Sequence, residues 1–153
     1  MECRVRRGPA FKERSVIKTA IIHPQLISAL AQCGHKTQIL LADANYSFVT
    51  HSPPTATVVY LNLAPGMIGS PTILEHLMET IAVEQATMMI WPETFTNSIV
   101  EEFRQRLPPT CPLEYLEREA FYDCVKSDRT LLVIASGEMR RFANLLLTVA
   151  PCV

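Results

Sequence analysis

The chain is predicted to fold as an α/β protein, a three-layer α/β/α sandwich around a mixed or mostly parallel sheet. Three observations predict this. The continuous apolar runs at 39–42 (ILLA) and 130–135 (TLLVIA) suit short strands covered on both faces better than strands that alternate. Stretches with apolar residues at helical spacing alternate with such runs, the order expected of helices laid against a sheet. At 153 residues the chain is long enough for one domain that buries roughly two thirds of its unfolded surface.

Taken in order, residues 1–15 form a basic leader with Arg4, Arg6, Arg7, Lys12 and Arg14. It lacks the apolar core of a secretory signal and is expected to be mobile or to contact a partner. Residues 16–153 are expected to form the single domain. Residues 17–22 lead into a helix at 24–33, where Leu26, Ile27, Leu30 and Ala31 make one apolar stripe. Gly34 is expected to close it in the left-handed conformation. The strand at 39–42 then ends at Asp43, where the chain turns polar. Ligands of open α/β sheets bind beyond the carboxyl ends of strands, so Asp43 and Asn45 stand where a site is expected. The alternative for Asp43 is a turn or N-cap residue. His35 lies before the same strand, separated from Asp43 by residues that each advance the chain ~3.3 Å. Within one subunit the two do not share a pocket unless the strand bends; otherwise two chains share the site. A purely structural histidine at a helix C-terminus is the other reading.

The loop YSFVTHSPPTAT is long and irregular, as loops that line or cover a site tend to be. His51 within it is expected to be an exposed loop histidine. A strand at 58–61 follows, then a helix at about 70–83 with Ser70 as N-cap and Pro71 at the first helical position. Met67 and Met78 read as core or interface filler, without the cluster of soft ligands a metal would need. Residues 86–91 make the third strand, with Trp91 as a core or rim side chain or a sugar-stacking platform. Asn97 or Ser98 caps a helix that Pro108, Pro109 and Pro112 end, and residues 117–126 are helical. Arg118 and Tyr122, four apart, then share a face, either as a functional pair or as a surface arginine packed on a tyrosine. A strand at 130–135 is broken by Ser136-Gly137-Glu138, and residues 143–149 complete the sheet.

Composition excludes several classes of function. Fourteen basic and fifteen acidic residues give a net charge of -1, and beyond the leader no basic stripe with interleaved aromatics suggests nucleic acid. Five cysteines, none in a C-x-x-C pair, point to reduced thiols in a cytoplasm rather than disulfides or a zinc site. No apolar run reaches the ~20 residues of a membrane-spanning helix.

Five separated pieces carry a resemblance: Gly34-His35, Leu41-Ala42-Asp43-Ala44-Asn45, Arg118-Glu119-Ala120-Phe121-Tyr122, Ser136-Gly137-Glu138 and Phe142-Ala143-Asn144-Leu145-Leu146-Leu147. In order and spacing the chain resembles the D-ribose pyranase and L-fucose mutarotase (RbsD/FucU) family over roughly residues 22–150. The Arg-x-x-Phe-Tyr string favours the fucose branch. The resemblance implies a cytoplasmic enzyme, needing no metal or cofactor, that interconverts ring forms of a free monosaccharide. It also implies a ring-shaped homo-oligomer, octamer or decamer, with active sites between subunits and neither nucleic acid nor membrane as partner. His35 matches the family's acid, Tyr122 its catalytic tyrosine, and Asp43, Arg118 and Asn144 its sugar-binding residues. Phe142 stands in the pocket where the family has tyrosine, and Thr37 stands where it has aspartate. The two departures keep three alternatives open: ribose pyranase activity, a non-catalytic sugar-binding or sensing module, and a scaffold that retains only the ring.

Overall fold

A computed structural model describes residues 16–153; the expectation for the leader falls outside them. Among these residues the chain forms, in order, α1 (Pro24–Ala31), β1 (Gln38–Ala42), β2 (Thr57–Tyr60), α2 (Ser70–Met78), β3 (Val83–Met89), α3 (Ile99–Arg106), β4 (Leu113–Leu116), α4 (Arg118–Val125), β5 (Thr130–Ala135) and β6 (Leu145–Val149). The six strands make one sheet in the order β2-β5-β1-β6-β3-β4. β1 pairs parallel with β5, as do β2 with β5 and β3 with β4, while β6 runs antiparallel to both β1 and β3. The sheet is therefore mixed.

Alternation along β1 sorts its side chains to two faces. Ile39 and Leu41 join a core with Leu26 and Leu30 of α1, Leu74 and Leu77 of α2, and Ile99 and Phe103 of α3. Leu40 and Ala42 face a second core with Tyr46 and with Phe121 and Val125 of α4. Helices thus cover both faces, which is why all five β1 residues are buried and why the segment reads as a continuous apolar run.

Several local expectations change, among them the helix expected to about 83, which ends at Met78, and the strand expected at 86–91, which spans Val83–Met89. The helix at 24–33 stops at Ala31, and the left-handed residue after it is Lys36 (φ 69°), not Gly34. The helix begins on a cap that the sequence hid, with the His23 imidazole Nδ1 accepting the Leu26 N–H at 3.2 Å. Ser70 does not cap α2. Gly69 holds that position, and buried Ser70 turns inward, its N–H donating to Glu138 at 3.3 Å and its hydroxyl paired with that of Ser136 at 3.1 Å. β4 carries no clear sequence signal because it is an edge strand of three half-covered residues and one exposed residue just after Pro112, without a full apolar run.

Loop 136–142 is lashed to the sheet by buried polar groups. The Ser136 hydroxyl donates to the Ala42 carbonyl at 2.6 Å, and the Ala44 N–H donates to the Glu138 carbonyl at 2.8 Å. The Glu138 carboxylate takes the Arg140 Nε–H at 2.9 Å, and Arg140 reaches on to Glu102 at 2.6 Å. Burial pushes the Glu138 carboxyl up, but hydrogen bonds and charge from Arg140, with the Ser70 N–H, outweigh it and hold the group below its ordinary value. A carboxyl lowered in the folded state contributes stability above its unfolded pKa of ~4.3 and loses it as pH falls through the folded value. Glu138→Gln is therefore expected to cost about 2 kcal/mol at pH 7. Urea midpoints of the two proteins should converge below pH 4, and a gap that did not shrink with acid would contradict this role.

Candidate active site

Where β1 and β3 end and β6 begins, an open cleft of about 290 Å³ is lined by Asp43, Asn45, Tyr46, Ser47, His51, Met89, Arg118, Tyr122, Arg141, Phe142 and Asn144. That is the small end of the range for ligand clefts, suited to one sugar ring. It lies beyond the carboxyl end of β1, as the position of Asp43 predicted.

Asp43 and Asn144 form a clasp at its floor. The Asp43 N–H donates to Asn144 Oδ1 at 2.7 Å. In return the Asp43 carboxylate accepts the Asn45 N–H at 2.9 Å on one oxygen and the Ala143 N–H at 3.2 Å on the other. The turn role weighed for Asp43 is present in these bonds, and its place in the cleft leaves the carboxylate beside a ligand's hydroxyls as well. Burial is the main cause that pushes the Asp43 carboxyl up from its ordinary range; its N–H donors pull the other way and the Glu138 charge adds to the rise. A carboxyl so raised at a cleft is a common mark of a working site.

Phe142 reaches the cleft from a left-handed backbone (φ 53°), and its carbonyl accepts the Asn97 side-chain N–H at 3.0 Å. Non-glycine residues rarely hold this conformation, and where they do it is often at functional sites. The Phe142 ring packs edge-on against Phe95 at 5.1 Å, with the Arg141 guanidinium 5.4 Å from its centre. This wall of the cleft carries no hydroxyl.

Arg118 and Tyr122 stand one turn apart on α4 and both line the cleft, so their spacing does place them on one face of the helix. Tyr122 is also the centre of an aromatic group, with Tyr46 at 6.0 Å and His51 at 4.1 Å. Tyr46 is buried, and burial, ahead of the nearby Tyr122 and Asp43, raises its pKa, so its hydroxyl stays protonated and donates to the His51 carbonyl at 2.7 Å.

His51 thus lies in the cleft rather than out in solvent as the loop reading had it. Its place depends on hydrogen bonds internal to a non-periodic loop, and the one sequence signal was the length of that loop directly after the end of β1. Ser47, Met89 and Arg141 were likewise not singled out by the sequence.

His35 lies elsewhere. It precedes β1 at the opposite end of the sheet, half exposed, with Nε2 3.1 Å from Glu84 Oε2 at the start of β3. Lys36 also bonds to Glu84, and this contact is the main cause holding the Glu84 carboxyl below its ordinary value, with His35 adding to it. A carboxylate thus touches His35 from β3, although Thr37 carries none. Within one subunit His35 and the cleft are not brought together. Trp91 is not in the cleft either; it packs edge-on against Tyr115 at 5.4 Å beside the first core. Among the described residues no group of three or more His, Cys, Asp or Glu is placed to hold a metal ion.

A model of the RbsD / FucU transport protein family matches residues 17–151. The chain belongs to this family. It is 29% identical over 137 residues to an L-fucose mutarotase of Actinobacillus pleuropneumoniae serotype 5b, an alignment covering 82% of this chain and 89% of that one. The fold is that of Bacillus subtilis RbsD complexed with D-ribose, with a TM-score of 0.76 at 24% identity over 87% of this chain and 96% of the other. The Streptococcus pneumoniae fucose mutarotase, solved in complex with L-fucose, superposes with a TM-score of 0.71 at 23% identity, covering 86% and 95% of the two chains. The mixed sheet and three layers are therefore the family's architecture in this RbsD/FucU member.

Proposed function

We propose that the protein is a monosaccharide mutarotase, interconverting the anomeric or ring forms of a free aldose of the L-fucose type by general acid–base ring opening and closure. The observation that carries this reading is the convergence of Asp43, Arg118, Tyr122 and Asn144, from three distant stretches of chain, on one cleft of monosaccharide size. Its support from relatives is the likeness to an L-fucose mutarotase over most of both chains.

The chemistry asks little of the protein. The anomeric hydroxyl gives up its proton, its electron pair forms the carbonyl, the bond from C1 to the ring oxygen breaks, and that oxygen takes a proton. Reclosure on the other face of the carbonyl reverses the steps. Groups positioned for such transfers typically contribute ~10²- to 10⁴-fold each. Asp43, Asn144 and Arg118 hold sugar hydroxyls, and Tyr122 stands at the reacting carbon.

His35 acts in this reading as the acid supplied by a neighbouring copy to the cleft of the next. Its position at the far end of β1 supports the arrangement, because both groups then serve one sugar without bending the strand. Exposed Leu63, Met67 and Ile68 on the loop after β2 are apolar surface that assembly would cover. A ring of subunits, octamer or decamer, working in the cytoplasm on a free sugar completes the proposal. Among the described residues no helix is long and apolar enough to cross a membrane.

In that arrangement Glu84 orients His35. Glu84→Ala is expected to lower catalysed exchange by about tenfold, within the range for partners that orient a working histidine. Adding Thr37→Asp should recover most of the loss. Equal rates for the native protein and Glu84→Ala would leave the pair a surface contact. The function itself is tested by polarimetry on freshly dissolved α-L-fucose. Faster relaxation to equilibrium than in a protein-free control supports it; unchanged relaxation for L-fucose, D-ribose and other aldoses contradicts it.

A further inference from the structure

Tyrosine is a poor base at its ordinary pKa of ~10, so a mutarotase cleft built on Tyr122 needs somewhere for the anomeric proton to go. We propose that His51 is that proton acceptor, taking the proton of the anomeric hydroxyl either directly or through the Tyr122 hydroxyl. The inference rests on the mutarotase reading and adds to it a residue from within the subunit.

The geometry is that of a built site. The imidazole lies across the phenol of Tyr122, ring centres 4.1 Å apart and planes 34° apart, and both rings line the cleft. The imidazole and the phenol are thus close enough together to face one hemiacetal carbon, whose ring oxygen is left to the acid. His51 Nδ1 is 2.9 Å from the Thr50 hydroxyl, which is itself 2.6 Å from the Ser47 hydroxyl. In the tautomer whose Nδ1–H donates to Thr50, with Thr50 donating in turn to Ser47, Nε2 keeps its lone pair for a proton. This is the tautomer a base requires.

The loop spends its other bonds on holding this ring still. The His51 N–H donates to the Ser47 carbonyl at 3.0 Å, its carbonyl accepts the Tyr46 hydroxyl at 2.7 Å, and the Tyr46 ring meets it edge-on at 6.2 Å. The backbone is thus anchored without help from the imidazole.

On ring opening the proton of the anomeric hydroxyl passes to Nε2 while the ring oxygen is protonated by the acid. Closure returns the first proton to the anomeric oxygen and the second to the acid, so nothing is consumed. The bound sugar leaves as the other anomer with the protein in its starting state.

The test measures kcat and KM for anomeric exchange in the native protein, His51→Gln and His51→Ala, on the sugar the native protein accelerates best. His51→Gln is expected to lose about 100-fold in kcat with KM changed by no more than about threefold, the pattern of a lost proton acceptor rather than a lost binding contact. Imidazole added to His51→Ala should restore part of the rate beyond what imidazole achieves alone, which a merely structural side chain would not do. A native kcat in His51→Gln, or a loss confined to KM, overturns the inference and leaves the mutarotase reading standing. A native protein that accelerates exchange of no sugar while still binding one overturns both.

Discussion

Tyr122→Phe is expected to lower catalysed anomeric exchange by ~10²- to 10⁴-fold while leaving sugar affinity within a few-fold of native. The substitution removes one oxygen and nothing else. The ring is half buried against Tyr46 and His51, so packing and the aromatic group are retained, and Phe121 beside it still fills the second core. Thermal stability should consequently change by less than about 1 kcal/mol, because among the described residues no hydrogen bond from the Tyr122 hydroxyl anchors the fold. The separation is what gives the variant its value: a large effect on rate with a small effect on Tm and on binding. Comparison of kcat, affinity and Tm on one preparation checks it. Exchange at the native rate in Tyr122→Phe would remove the hydroxyl from the chemistry and leave Tyr122 a wall of the cleft.

The largest stability effect is expected at Gly137. A Cβ on this residue would lie 2.2 Å from the Met67 carbonyl oxygen and 2.4 Å from its carbon. Both are backbone atoms, so no side chain can swing aside. The two segments are also hydrogen bonded to each other, Gly66 N–H to the Gly137 carbonyl at 2.7 Å and Gly137 N–H to the Ile68 carbonyl at 2.9 Å. Separating them to admit a methyl group loses those bonds as well as forcing strain. Gly137→Ala should cost about 3 kcal/mol or more, at the upper end for overpacking. For a chain of this size that is a fall in Tm of about 10 °C. Because Arg141, Phe142 and Asn144, a few residues on, line the cleft, sugar binding should weaken in parallel. An alanine variant with native Tm would mean that the two segments part easily.

Much of this molecule is legible from its residues, and the parts that are not share a physical reason. β1 and β5 are readable because helices cover both of their faces, which demands apolar side chains at nearly every position. β4 is not, since an edge strand half open to solvent imposes no such demand. Arg118 and Tyr122 are found together because helical periodicity alone puts residues four apart on one face. Asp43 is found because the end of a buried strand is marked by the change from apolar to polar. The long-range clasp between Asp43 and Asn144 leaves no trace of that kind; the two are joined only when β6 folds back antiparallel beside β1. Ser70 shows the same limit, its hydroxyl reading as a local cap while its partner, Ser136, lies far along the chain. His51 is the clearest case. Periodicity says nothing about a loop whose shape is set by the hydroxyls of Tyr46, Ser47 and Thr50.

The separation of His35 from the cleft was foreseeable from the length of the strand between them. The contact of His35 with Glu84 was not, because Glu84 lies on β3, which touches this end of β1 only through β6. Two partners can be far apart in sequence while occupying one neighbourhood in space.

The central claim, that this cleft catalyses anomeric exchange, is tested most directly by saturation-transfer NMR at equilibrium on L-fucose, D-ribose and other aldoses with the native protein. The account predicts that irradiating one anomeric proton of an L-fucose-like sugar depletes the other in proportion to protein concentration, and that the Arg118→Ala variant loses the effect. Binding to the same cleft, seen as shifts of amides around Tyr122 and Asn144, with no transfer for any sugar would contradict it and make the protein a sugar-binding module on a mutarotase fold.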